Sequence, residues 1–289
     1  MCVRNEMGRL PFALSYYRDL GVGQFLIVDN DSTDGTRDYL KAQADVRLWH
    51  TKASYRASRF GLDWMNWLLL RYGHGHWCLH VDADELLVYA GCDTKDLVDL
   101  TSWLDQRGQI GFGALMLDIY PNGPLGAGEA PLSPLDYLTH FDPAPYRATR
   151  QEPLQNLWVQ GGARERTFFA QNPRQSPTLN KLPLVRWNRR YAYVNSTHSM
   201  LPRKLNHLYD GPGTETPSGV LLHTKFLPEV TEKSDEDLSR RQHFHDPDKF
   251  RDYYTAIAAQ PNLHHPGALR YTGWEQLAAQ GLITSGGFV

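Results

Sequence analysis

The sequence predicts an α/β domain with a mostly parallel central sheet and helices on both faces. Three observations predict it. Short apolar runs alternate with amphipathic stretches of helical period through the first hundred residues, acidic clusters follow two of those runs, and 41% apolar content in 289 residues suffices for a large core. Such alternation makes right-handed βαβ units, and ligands bind at the carboxyl ends of their strands.

The elements follow in order. Val3-Arg4-Asn5-Glu6 reads as the tail of a strand whose N-terminal part is missing, so the start is expected to be truncated. A helix from about Arg9 to Leu20 stops at Gly21, a residue suited to a helix C-terminus. Gln24 to Val28 is a strand, Asp29 to Thr36 a polar loop, and a helix continues to about Ala42. Val46 to Trp49 is the next strand. Phe60, Trp64, Trp67 and Leu68 then mark one face of a helix over about 57–72, and Trp77 to Val81 is a buried strand ending at Asp82.

Ile110 to Ile119 reads as a central strand. The Pro- and Gly-rich stretch from Tyr120 to about Leu157 has little periodicity, and loops of that length are usually functional. Gly161 to Phe169, Leu182 to Trp187 and Val220 to Phe226 read as further strands or turns, and helices from about Ser234 and Pro247 close the chain.

Thirty basic and 32 acidic residues give a net charge of -2, so no broad field attracts nucleic acid or an anionic membrane. No apolar run reaches the ~20 residues that span a bilayer, and a cytoplasmic location is expected, with membrane contact only through partners. Cys2, Cys78 and Cys92 have neither metal nor disulfide-framework spacing and read as reduced thiols.

Asp82 and Asp84, two apart at a strand end, lie about 6.6 Å apart along the backbone and repel by roughly 2–3 kcal/mol at an effective dielectric near 20. A divalent cation, Mn²⁺ or Mg²⁺, turns that repulsion into attraction and also binds diphosphates. Asp29 and Asp31 form a second acidic cluster at a strand end, and carboxylates accept hydrogen bonds from ribose hydroxyls and base N–H groups. Turn and helix-cap chemistry is the alternative use of Asp31 to Asp34.

Val28-Asp29-Asn30-Asp31-Ser32-Thr33-Asp34-Gly35-Thr36, followed by Leu79-His80-Val81-Asp82-Ala83-Asp84-Glu85, resembles the nucleotide-sugar-binding half of family 2-like glycosyltransferases. Arg4-Asn5-Glu6 before an apolar helix resembles the branch of that superfamily that opens with an Arg-Asn-Glu signature. Gly161-Gly162-Ala163-Arg164-Glu165-Arg166 and Leu221-Leu222-His223-Thr224-Lys225-Phe226 are similar to its later motifs. The resemblance covers roughly residues 3–230.

It implies a GT-A (nucleotide-diphospho-sugar transferase) fold, with residues 1–119 as the donor half, 120–230 as the acceptor side of the same domain, and 231–289 as a helical extension. It also implies sugar transfer from a UDP- or GDP-linked donor to a glycan or other hydroxyl acceptor, metal-dependent and inverting, with polysaccharide biosynthesis as the setting. Asp29 and Asp31 would contact the donor's base and ribose, and Asp82 the ribose and metal, with Asp84 and His223 as metal ligands. Arg4, Asn5 and Glu6 would belong to the donor site.

Lys52 and Arg59, after the third strand, and Arg164, Arg166 and Lys181 are cations that could offset donor phosphate charge. Glu165 and Asp118 are the candidate general bases, ahead of Asp136 and Asp142. Trp158, Trp187 and Tyr191 could stack on an acceptor sugar. The histidine pairs 74/76, 243/245 and 264/265 read as loop or surface residues.

Two other readings stand beside this one. A nucleotidyltransferase or metal-dependent phosphoesterase could use the same carboxylates, although no Gly-rich basic loop follows Arg4. A non-catalytic nucleotide- or carbohydrate-binding relative is the other.

Overall fold

The computed structural model describes residues 1–129, 131–231, 234 and 251–289. The chain opens with a parallel sheet of β1 (Cys2–Val3), β2 (Phe25–Asp29) and β3 (Val46–His50), in that order. Helix α1 (Leu10–Asp19) lies between β1 and β2, and α2 (Thr36–Lys41) between β2 and β3. α1 buries Leu10, Ala13, Leu14 and Tyr17, an i, i+3, i+4, i+7 stripe. Pro11 sits in its first turn, where a missing N–H removes no helical bond, and Gly21 beyond its end takes φ +87°.

Next come α3 (Leu62–Leu68), β4 (Trp77–Leu79), β5 (Glu85–Val88), α4 (Leu97–Gln106) and β6 (Gly111–Tyr120). After them lie α5 (Pro134–Tyr137), β7 (His140–Phe141), β8 (Tyr146–Gln151), β9 (Asn156–Gly161), α6 (Gly162–Phe168) and β10 (Asn180–Arg186). The rest is β11 (Ala192–Tyr193), β12 (Met200–Leu201), β13 (Ser218–His223), α7 (Arg251–Ala258), β14 (Leu269–Arg270) and α8 (Trp274–Ala279). The larger sheet runs β4-β10-β6-β13-β5, and β7 and β14 add at the far end of β6. β6 is its spine, buried at every residue.

The fold is therefore mixed α/β, and the expectation of a mostly parallel sheet is corrected. Among the described residues, only β6 and β13 pair parallel within the larger sheet; β10 with β4 and β6, β13 with β5, and the β7 pairs are antiparallel. An apolar run marks a buried strand but carries no direction, which is set by the connection that returns the chain. The strand read as Trp77 to Val81 stops at Leu79, and Ala83-Asp84 is a turn leading into β5. Residues 162–168, read as strand or turn, are helix α6. The long loop from Tyr120 contains α5, β7 and β8, elements too short to print a period.

The described residues from 253 to 288 contribute to the core. Leu86, Val159, Tyr253 and Leu277, from all three expected divisions of the chain, share one hydrophobic cluster, and Phe288 packs on Tyr89 and Trp103. Residues 235–250, which hold most of the helix expected from Ser234, the start of the one expected from Pro247 and the pair His243/His245, lie outside the described residues; α7 covers Arg251–Ala258. Among the described residues, no helix is long and apolar enough to cross a membrane.

One glycine fixes the entry to α6. Gly161 has φ +140°, and a Cβ there would stand 2.0 Å from the carbonyl oxygen of Pro145. Gly161→Ala is expected to destabilise the protein by about 2 kcal/mol or more, through left-handed strain and a backbone clash that no rotamer relieves. Urea unfolding checks it; an unchanged midpoint would show that β8 and β9 can separate freely at this point.

Candidate functional site

Register brings three ionisable residues level at one end of the larger sheet. β13 lies between β5 and β6, with His223 opposite Glu85 on one side and Asp118 on the other. The paired residues lie 105 to 138 apart in sequence, so only the topology unites them.

His223 Nδ1 lies 2.7 Å from Asp118 Oδ1, and Asp118 Oδ2 accepts from Arg164 Nε at 2.7 Å. The imidazole thus has one nitrogen fixed, and its Nε2 faces Asp84 Oδ2 at 3.3 Å. Asp84 is placed by its backbone: its carbonyl accepts the Thr224 N–H at 2.7 Å and the Thr224 hydroxyl at 3.1 Å, just past β13. Burial opposes charge on His223, but Asp84 and then Asp118 outweigh it and raise the pKa. For Asp84, burial likewise opposes ionisation, yet His223 and then Arg9 hold its carboxyl well below the usual carboxylate value.

Arg9, only 4% exposed, is enclosed by carboxylates. Its guanidinium lies 3.7 Å from Asp84, 3.9 Å from Glu6 and 3.1 Å from Glu229, and Nη2 donates to Lys225 O at 3.2 Å. On the other side of the Ala83-Asp84 turn, Lys181 Nζ lies 2.8 Å from Glu85 Oε1 and 3.7 Å from Asp82 Oδ2, and Glu85 Oε2 accepts the Asp82 N–H at 3.1 Å. Asp82 and Asp84 are therefore not a matched pair at a strand end. The turn sends half-exposed Asp82 toward Lys181, and Asp84 toward His223 and Arg9.

The Arg-Asn-Glu segment ties down the loop after β2. Arg4 Nη1 donates to the carbonyls of Asn30 and Asp31 at 2.7 and 2.9 Å. Asn5 N–H donates to Ser32 Oγ at 3.0 Å, and Asn5 Oδ1 accepts the Thr33 N–H at 2.8 Å. Glu6 N–H donates to Thr36 Oγ1 at 2.9 Å, and its carboxylate lies 3.9 Å from Arg9. These contacts make Arg4 and Asn5 builders of the loop that carries Asp31.

Asp29, fully buried at the end of β2, accepts the Ser32 N–H at 3.2 Å. Asp31 takes φ +61°, a left-handed conformation Asp tolerates better than most residues, with His50 Nε2 at 3.4 Å and Lys52 Nζ at 3.8 Å. The two acidic clusters flank β1: the Cys2 thiol, pushed up to about 12 mainly by burial, also feels the charges of Asp82 and Asp29.

The contacts of two expected general bases assign them other work. Asp118 is buried, with one oxygen held by His223 and the other by Arg164, so it orients these two side chains instead of facing an acceptor. Glu165 is clamped by both terminal nitrogens of Arg147 at 2.8 and 2.7 Å and by Ser176 Oγ at 3.0 Å. It is a structural ion pair. Arg59, half-exposed, pairs with Asp63 four residues along.

Sequence reasoning overlooked Arg9, His50 and Glu229. Arg9 could have been found, since it falls one position before the apolar stripe of α1 and was read only as the start of that helix; His50 and Glu229 carry no local signal. Among the described residues, no three His, Cys, Asp or Glu side chains are already gathered as a cation site. No protein-family model matches the chain, and no curated protein matches it at a significant level.

Proposed function

We propose that the chain is a metal-dependent glycosyltransferase of GT-A type, moving a sugar from a UDP- or GDP-linked donor to a hydroxyl of a glycan or other acceptor. One observation carries the reading: Asp118 holds His223 Nδ1 so that Nε2 meets Asp84, in the Asp82-Ala83-Asp84 segment that the sequence marks as a cation site. A carboxylate behind a histidine fixes the tautomer and raises its basicity, the support usually found behind metal-bound imidazoles.

The donor set fits the cation. Asp84 and His223 offer one hard oxygen and one imidazole nitrogen in contact with each other, a pair suited to Mn²⁺ and, through oxygen, to Mg²⁺. They would hold it together with donor phosphate oxygens, in keeping with the absence of a third gathered ligand among the described residues. When bound, the cation would neutralise charge on the leaving nucleoside diphosphate.

The protein's own residues act around it. Arg4 and Asn5 hold the loop that presents Asp31, with Asp29 at its base, His50 and Lys52 beside it, and carboxylate oxygens available to ribose and base. Lys181 offsets the charge of Asp82 and Glu85, which keeps two carboxylates tolerable beside a diphosphate. Asp118 and Glu165 position other side chains.

Isothermal titration of UDP and GDP, with Mn²⁺ and with EDTA, tests the reading. The expected result is that Mn²⁺ strengthens binding of one nucleotide at least tenfold, about 1.4 kcal/mol. Equal affinity with Mn²⁺ and EDTA would remove the metal from the mechanism. Absence of nucleotide binding in the folded protein would favour the non-catalytic reading.

A further inference from the structure

Charge of one sign gathers on a single strip of this nearly neutral protein. From 64 to 81, and again from 166 to 209, the sequence has no Asp or Glu. The two tracts meet where the turn before β4 touches the turn after β10. Gly75 N–H donates to Trp187 O at 2.9 Å, Trp187 N–H to His76 O at 2.7 Å, and Arg189 N–H to His74 Nδ1 at 3.4 Å. This seam sets Arg189 beside the end of α3, where an open groove of about 430 Å³ is lined by Trp67, Leu70, Arg71, His74 and Arg189. Asp63, just before the first tract, is held by Arg59, and Asp105 by Arg186, so both are already neutralised.

Apolar side chains stand out among these cations. Trp67 and Leu70, three residues apart on a helix that runs on into a π-helical turn over Leu69–Gly73, are 48% and 55% exposed. Trp67 meets Trp49 and Tyr72 edge to face, with ring centres 6.3 and 6.2 Å away, and the Arg71 guanidinium lies 5.9 Å from its ring centre. The strip continues past exposed Arg190, because Ala192 of β11 pairs with Leu201 of β12, and exposed Arg203 and Lys204 follow. Of the six large apolar side chains that are exposed among the described residues, Trp67, Leu70 and Leu201 lie here, so the strip is apolar as well as basic.

We propose that this strip docks the protein on an anionic phospholipid surface, with Trp67 and Leu70 entering the headgroup layer and Arg71, Arg189 and Arg190 meeting lipid phosphates. Trp is favoured at the membrane–water interface, and arginine can bury its stem beside it while the guanidinium stays at the phosphates. A net charge of -2 sets up no long-range attraction, so the contact acts only within the screening length, roughly 8 Å at physiological salt. A second copy of the chain fits poorly, since a two-fold contact would set arginine against arginine. An acidic protein would answer the cations, but the open groove lacks the enclosed pocket that anchors a partner's side chain, which a fluid bilayer does not need. The strip precedes β4 and Asp82 follows it, so docking leaves the carboxylate cluster uncovered. The inference is independent of the proposed activity.

Co-sedimentation of the full chain with vesicles tests it, using phosphatidylcholine alone or mixed with about 30% phosphatidylglycerol. At about 0.1 M salt the anionic vesicles are expected to bind at least about tenfold more tightly than the neutral ones, and about 0.5 M salt should remove most of the difference. Leu70→Gln and, separately, Arg71→Ala/Arg189→Ala/Arg190→Ala should each weaken anionic binding at least about fivefold. Their melting temperatures should match the wild type, since all four side chains are exposed. Equal binding to both kinds of vesicle would overturn the proposal, as would anionic binding that both variants retain. Loss in the arginine variant alone, with Leu70→Gln binding as tightly as wild type, would overturn the membrane in favour of an acidic macromolecule.

Discussion

Replacing Lys181 with methionine is expected to lower stability at pH 8 by about 3–5 kcal/mol, the usual cost of removing one partner of a buried ion pair. Lys181 and Glu85 are 5% and 1% exposed and 2.8 Å apart. Burial already raises the Glu85 pKa, and Lys181 is the strongest influence holding it down. Without that cation the carboxyl rises further, so the variant must bind a proton on folding. A group whose folded pKa lies above its unfolded value stabilises below the unfolded pKa and loses that contribution as pH rises through the folded value. The deficit of Lys181→Met should therefore shrink as pH falls from 8 toward 5. Lys181→Met/Glu85→Gln should recover more than half of it, since the amide oxygen still accepts the Asp82 N–H. Urea unfolding at both pH values reads all of this. A cost below about 1 kcal/mol with no pH dependence would mean that water reaches Glu85 and the pair is not the floor of the turn.

Why this pair escaped a sequence reading explains what is legible and what is not. The β2-loop-α2 unit could be read locally, because five apolar or strand-compatible residues end in a run of turn formers and a six-residue helix follows. β6 could be read because every residue in it is buried and the sequence is almost continuously apolar. Strand direction could not, and neither could the turn at Ala83-Asp84, since Val81 and Ala83 are apolar and buried on either side of Asp82. The acidic residues were found by type, but their partners were not. Lys181 comes from β10, His223 from β13 and Arg9 from the start of α1, and each meets its carboxylate only after the sheet has formed. Asp118 and Glu165 show the converse error. A carboxylate near a strand end has the composition of a general base, and only the fold shows that arginines occupy both.

Asp84→Asn separates the electrostatics of the site from its packing. Under the proposed function the variant should lose at least about 100-fold in Mn²⁺-dependent nucleotide affinity, about 2.8 kcal/mol, with metal-free affinity unchanged. The amide keeps the shape and the backbone bonds to Thr224, so the turn is retained. Asp118→Asn should cost less, about 10- to 100-fold, because it acts on the cation through His223 rather than by contact. Stability without metal divides the two roles again. Asp84's depressed pKa supplies stability above its unfolded value, near 3.8, that is lost as pH falls through its folded value; His223's raised pKa supplies stability below about 6.5 that is lost as pH rises through its own. Asp84→Asn removes its own contribution and the larger part of that of His223, Asp118 keeping the rest, and should flatten the stability profile where the two overlap, between about pH 4 and 6.5. Unchanged Mn²⁺ dependence in Asp84→Asn, with the profile flattened as expected, would leave the Asp118-His223-Asp84 chain as a structural ion relay and move the cation elsewhere in the crevice.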